Sequence, residues 1–115
     1  MSVNTTAVAP RPIPLTILGN NPASRTYRIG EEDHSLGNCL RNILVSGMEE
    51  EVDFAGYSVP HPSEAILQMR VQLAKGAKCE TADDALMESC DALKSMCDHV
   101  MGTVKGRHEH EVKIE

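Results

Sequence analysis

The segment Asp33-His34-Ser35-Leu36-Gly37-Asn38-Cys39-Leu40-Arg41 brings an imidazole, a thiol and a guanidinium within nine residues, and His61 follows in Gly56-Tyr57-Ser58-Val59-Pro60-His61-Pro62-Ser63-Glu64. As chemistry, these residue types suggest cysteine-based acyl transfer, with Cys39 as nucleophile and His34 or His61 as base. The surroundings argue against it. Cys39 sits beside Leu36, Leu40, Ile43 and Leu44, which recur at the i, i+4, i+7, i+8 spacing of an amphipathic helix, where a free Cys is more often a small buried hydrophobe. Cys90 and Cys97 also fall at or near apolar helical positions. Neither a G-x-x-x-x-G-K phosphate loop nor a dinucleotide-binding glycine fingerprint occurs. Cys79, Cys90 and Cys97 offer no C-x-x-C pair, and His108-Glu109-His110 reads as a solvated terminus. We therefore expect no catalytic residue, no metal site and no cofactor.

Eleven Lys plus Arg stand against 17 Asp plus Glu in 115 residues, a formal charge of −6. That balance disfavours direct nucleic-acid binding, which draws its affinity from clustered cations. No secretory or presequence pattern opens the chain and no apolar run approaches the ~20 residues of a membrane span. A soluble intracellular protein with reduced thiols is the expectation, with no membrane partner. One Phe, two Tyr and no Trp make any core aliphatic and Met-rich. A chain this short buries only about two-thirds of its unfolded surface, so stability in isolation is marginal.

The elements that must position these residues follow from periodicity. Residues 1–12 read as a flexible tail and residues 107–115 as a second one, around a single domain over residues 13–106. Leu15 and Ile17 start a short strand, Gly19-Asn20-Asn21-Pro22 a turn, and Ser24 to Ile29 a second strand with Tyr27 and Ile29 on one side. The motif helix is expected from about Ser35 to Ser46, capped by Asp33 or Ser35 and closed by a left-handed Gly47. Val52 to Val59 makes a third strand, stopped by Pro60 and Pro62. Leu67, Met69, Val71 and Leu73 alternate with Gln68, Arg70 and Gln72 in a half-buried fourth strand. Thr81-Ala82-Asp83-Asp84 opens a last helix with a capping pattern. The fold class is α/β, in the α+β two-layer sense: a four-stranded, mainly antiparallel sheet with a short motif helix and a long C-terminal helix.

Along that last helix Ala82, Leu86, Ser89, Leu93, Met96, Val100 and Thr103 recur at alternating spacings of four and three. From Ala82 to Lys105 it spans roughly 36 Å, more than the ~30 Å of a small domain. Met96, Cys97, Val100, Met101 and Val104 are left with nothing to cover them in cis, unless the helix kinks near Gly102. An uncovered apolar patch of this kind marks an interaction site.

In wording and spacing the two motif segments resemble the small alpha-like subunits of multisubunit DNA-directed RNA polymerases, the archaeal L and bacterial alpha N-terminal type, over about Leu15 to Lys105. Ser58 and Ser63-Glu64 look most like the branch shared by eukaryotic RNA polymerases I and III. The resemblance implies a non-catalytic subunit with an alpha-subunit dimerisation-type fold, which heterodimerises with a larger alpha-like subunit to seed assembly in the nucleus, including the nucleolus. It implies a dimer interface of Leu36, Gly37, Leu40, Leu44, Leu86, Leu93, Met96 and Val100, with Gly37 allowing close helix approach at the dimer crossing. Asn38, Arg41, Tyr57 and His61 become candidates for docking the large polymerase subunits. Alternatives are the equivalent subunit of RNA polymerase II or of the archaeal enzyme, and, in another class, a stand-alone homodimeric adaptor.

Overall fold

The computed structural model describes the backbone of residues 13–114 and the side chains of residues 13–109. The tail expected over residues 1–12 lies outside the described residues. The elements run β1 (Leu15–Leu18), β2 (Ser24–Gly30), α1 (His34–Asn42), a π-helical turn (Ile43–Gly47), β3 (Val52–Ser58), β4 (Ile66–Leu73) and α2 (Ala82–Ile114).

The strands form one antiparallel sheet in the order β1-β2-β4-β3. Gly19, at φ 103°, turns the β1-β2 hairpin in a conformation that an L side chain resists. Tyr27 pairs with Met69 and Ile29 with Leu67, so the apolar positions of β2 and β4 share one face. Both helices cover that face. The core is Tyr27, Ile29, Leu67, Met69, Val71, Val52 and Ala55 from the sheet, Leu40 and Leu44 from the α1 segment, and Ala82 and Ala85 from α2. A bulge between Val52 and Phe54 shifts the register of β3 by one residue. Two-residue alternation predicts β2 and β4 most directly, because one face of each is buried and the other is not.

The helix ends differ from expectation. Asp33 caps α1 by accepting a hydrogen bond from the Ser35 N–H at 3.0 Å. At the other end the expected left-handed Gly47 is replaced by the wider π turn, and positive-φ glycines among the described residues are Gly19 and Gly76. The wider turn carries Leu44 into the core, where it is fully buried. Helix α2 starts as expected, with Thr81 Oγ1 accepting from the Asp84 N–H at 3.2 Å. It then continues through Gly102 and Gly106 to Ile114, past the Lys105 end suggested by the heptad and through most of the segment read as a tail. A Cβ added to either glycine would meet no atom within 4 Å, so nothing packs there to bend the helix.

Candidate functional site

In α2 the chain leaves its own core. Ala82, Ala85 and Ser89 are buried against the sheet, and Leu86 and Leu93 are half-buried. Beyond them every described residue from Lys94 to Glu109 is exposed. Met96, Val100, Met101 and Val104 are 53, 57, 51 and 59% exposed, so the overhang expected from the apolar spacing is present. At about 1.5 to 3 kcal/mol for each large apolar side chain removed from water, covering this stripe rivals the total stability of a small domain.

Two apolar clefts flank α2 nearer the core. One, of about 390 Å³, lies between α2, the start of α1 and strand β1, lined by Ile13, Leu15, Leu36, Leu86, Met87 and Cys90, with Leu40 and Ile29 beneath. Leu15 and Ile17 pair with Ile29 and Tyr27 and so face the helix side of the sheet, yet no helix reaches over them. The second, of about 380 Å³, lies where α2 passes the π turn and is lined by Cys39, Ile43, Leu93 and Met96. Spacing alone does not reveal Met87 or the β1 side chains as part of this surface. A four-residue edge strand of Leu-Thr-Ile-Leu was the available signal, since such a strand is apolar on a face that only another element can cover.

The interface residues expected on α1 divide into two groups. Leu36 is half-buried beside the first cleft. Leu40 and Leu44 are 1 and 0% exposed, so their packing is within the chain and they support the surface from below. Gly37 is buried too: a Cβ on it would lie 2.6 Å from Tyr57 Cδ2 and 2.7 Å from Leu67 Cδ1, so here its missing side chain serves the close approach of α1 to its own sheet. The thiols are corrected in the opposite sense: Cys39, Cys90 and Cys97 are exposed rather than core, Cys39 beside the buried stripe in the second cleft, Cys90 in the first cleft and Cys97 on the overhang.

Around the start of α1 the docking candidates separate. Tyr57 is half-buried; its hydroxyl lies 3.2 Å from His34 Nδ1, with the rings edge to face at 5.6 Å. Asn38 and Arg41 are joined by a hydrogen bond from the Arg41 guanidinium to Asn38 Oδ1 at 2.9 Å. His61 is exposed beyond β3 and joins neither group. His34 is thus engaged with Tyr57, while Cys39 lies in the second cleft, an arrangement that does not assemble a thiol and base.

Two polar clusters fasten α2 to the sheet. Asp83, in the first turn of α2, accepts from Arg25 at 2.6 Å with one oxygen and from the Tyr27 hydroxyl at 2.5 Å with the other. Burial, then the Asp83 carboxylate, pushes the Tyr27 hydroxyl pKa upward. The second cluster holds the loop before α2: the Cys79 N–H donates to Glu51 at 3.0 Å and keeps that carboxyl below its usual range. Burial and the nearby Glu51 charge push the Cys79 thiol up to about 11.

An open sheet with a helix pair on one face, and a long helix left uncovered, is the arrangement of a domain completed by a partner. A sequence profile described as the RNA polymerase Rpb3/Rpb11 dimerisation domain matches residues 24–103. The chain belongs to this family.

Curated relatives of this dimerisation-domain chain include the DNA-directed RNA polymerases I and III subunit RPAC2 of Schizosaccharomyces pombe, 46% identical over 77 residues, which are 67% of this chain and 58% of that protein. The subunit of the same name from Saccharomyces cerevisiae is 43% identical over 77 residues, 67% of this chain and 51% of that one. The chain therefore spans a little over half the length of these two relatives. The Drosophila melanogaster subunit is 38% identical over 84 residues, 73% of this chain and 74% of that one. Among solved structures, DNA-directed RNA polymerase subunit L of Thermoplasma acidophilum has the same fold, with a TM-score of 0.68 at 17% identity, covering 87% of this chain and 93% of that one.

Proposed function

We propose that the chain is a non-catalytic subunit of DNA-directed RNA polymerases I and III that pairs with a larger alpha-like subunit and so forms the platform on which the enzyme assembles. The observation that carries the reading is the apolar run Met96, Val100, Met101, Val104, exposed on a helix that has left its own core. A second domain built the same way supplies both what this helix needs, a groove to lie in, and what the cleft beside β1 needs, an apolar helix to fill it. Leu36, Leu86, Leu93, Met96 and Val100 form the contact surface in this reading, with Gly37, Leu40 and Leu44 as the layer that sets its shape.

The assignment to polymerases I and III is supported by the names of the relatives from three organisms. It carries with it a nuclear location, including the nucleolus. The large polymerase subunits dock on polar side chains at α1 and beside it, Asn38 with Arg41 and Tyr57 with His34, and at a separate point on His61 beyond β3. Nucleotide addition belongs to those subunits; this chain's part is to hold shape.

Co-expression with the larger alpha-like subunit tests the pairing. Light scattering of the purified product is expected to show a one-to-one heterodimer that Val100→Asp prevents. A stable homodimer of this chain, indifferent to the larger subunit, would overturn the reading in favour of a self-sufficient adaptor.

A further inference from the structure

The sheet face turned away from both helices has a chemistry unlike the rest of the chain. The register places Thr26 and Arg28 of β2, Gln68, Arg70 and Gln72 of β4, and Phe54, Gly56 and Ser58 of β3 on it. In a chain of net charge −6, the four strands hold three arginines and a single acid, Asp53 in the bulge. Arg25 points to the helix side and pairs with Asp83. Arg28 and Arg70 remain without an acidic partner among the described residues, both exposed on the outer face, with the Arg70 guanidinium donating to Ser24 Oγ at 2.9 Å.

Their spacing is informative. Arg70 pairs directly with Thr26, two residues before Arg28, so the two guanidinium-bearing positions are diagonal cross-strand neighbours roughly 7 Å apart. That is close to the ~6.7 Å between alternate side chains of an extended strand. Beside them Phe54 leans over Gly56, where an added Cβ would lie 3.1 Å from the ring, and still keeps half its surface exposed. The ring, Thr26, Ser58, Gln68 and Arg70 border a shallow cleft of about 310 Å³. The bare Gly56 lets the Phe54 ring lie close against the sheet beside the arginines, an apolar side chain half open to solvent.

We propose that this outer face docks an extended acidic segment of another polymerase subunit, placing carboxylates at alternate positions on Arg28 and Arg70 and an apolar side chain on Phe54. The inference rests on the assembly reading above. It uses the face that the helix-mediated dimer leaves open. Carboxylate pairs match the planar donor fork of arginine. A polynucleotide would bring a charge with every residue against a net charge of −6, and it favours successive aromatic platforms where this face has one.

The test uses the native complex purified from cells that express the chain with p-benzoyl-phenylalanine in place of Phe54. Photocrosslinking followed by peptide sequencing is expected to yield one segment of another subunit with Asp or Glu at alternate positions. Arg28→Glu with Arg70→Glu is expected to cut that crosslink at least about tenfold, as is raised salt, which screens exposed pairs. The larger alpha-like subunit should co-purify unchanged with this variant, which shows that the chain is folded. A crosslink to nucleic acid, to a segment without carboxylates, or to nothing overturns the proposal. Absence of the larger alpha-like subunit from the unsubstituted complex would overturn the dimer reading instead, so the two failures are distinct.

Discussion

Gly37 and Tyr57 meet so closely that a methyl group on the glycine would sit 2.6 Å from the tyrosine ring. Helix α1 can therefore lie on β3 and β4 only because this position has no side chain. Gly37→Ala sets a helix-propensity gain of about 1 kcal/mol against an overpacking cost of about 1 to 3 kcal/mol. Since Tyr57 is held by His34 and Leu67 is fully buried, the cost should win. Urea denaturation should show Gly37→Ala destabilised by about 1 kcal/mol or more; unchanged or increased stability would remove the packing explanation.

Met96→Asp and Val100→Asp change side chains that are more than half exposed, so each should retain the thermal midpoint of the parent chain within a few degrees while losing the larger alpha-like partner in a pull-down. Leu93→Asp should lower both, because Leu93 is half-buried against the core. Undiminished pairing by the Val100→Asp chain would exclude the overhang from the interface.

The Asp83 bridge predicts a graded pair of variants. Tyr27→Phe removes one hydrogen bond and should cost about 1 to 2 kcal/mol, whereas Asp83→Ala strands both Arg25 and Tyr27 and should cost about 2 to 4 kcal/mol. Additive losses in the Tyr27→Phe, Asp83→Ala double variant would show that Tyr27 and Asp83 are not coupled.

Glu51 provides a pH signature. Its folded pKa is depressed by the Cys79 N–H, so its contribution to stability is present above the ordinary Glu value of about 4.3 and is lost as pH falls through the folded value. Glu51→Gln should therefore flatten the acid limb of a stability curve below about pH 4.3 and leave its neutral slope unchanged. An acid limb as steep as the parent's would show that the contact does not form.

The same carboxylate sets a thiol order. Cys79, raised to about 11 by burial and then by Glu51, should react with iodoacetamide more slowly at pH 8 than the exposed Cys39 and Cys97. Removing the negative charge in Glu51→Gln lowers that pKa and should speed Cys79 labelling, read by mass spectrometry of the digested chain. Equal rates in parent and variant would count against the electrostatic cause.

The sheet was legible because alternation is a local code: Leu67, Met69 and Val71 are fully buried as their spacing requires. The overhang was legible because helix length is arithmetic. Residues that act across the fold were not. Asp83 reads locally as a first-turn acid, and only the arrival of β2 beneath α2 gives it Arg25 and Tyr27. Gly37 reads as a helix weakener until Tyr57, twenty residues later in the chain, is seen below it. The exposed thiols show the limit of periodicity, which finds an apolar stripe but cannot tell whether the element covering it belongs to the same chain.

Helix α2 carries Gly102 and Gly106 in its overhanging half, each costing about 1 kcal/mol relative to Ala, with no packed neighbour to offset it. Under the proposed pairing, a surplus copy leaves this half uncovered and is expected to offer apolar sequence to chaperones and proteases, which act on locally unfolded chain. Copies without a mate are then expected to be cleared while paired ones persist, so that the cellular amount of this chain tracks whichever member of the proposed pair is made in the smaller quantity.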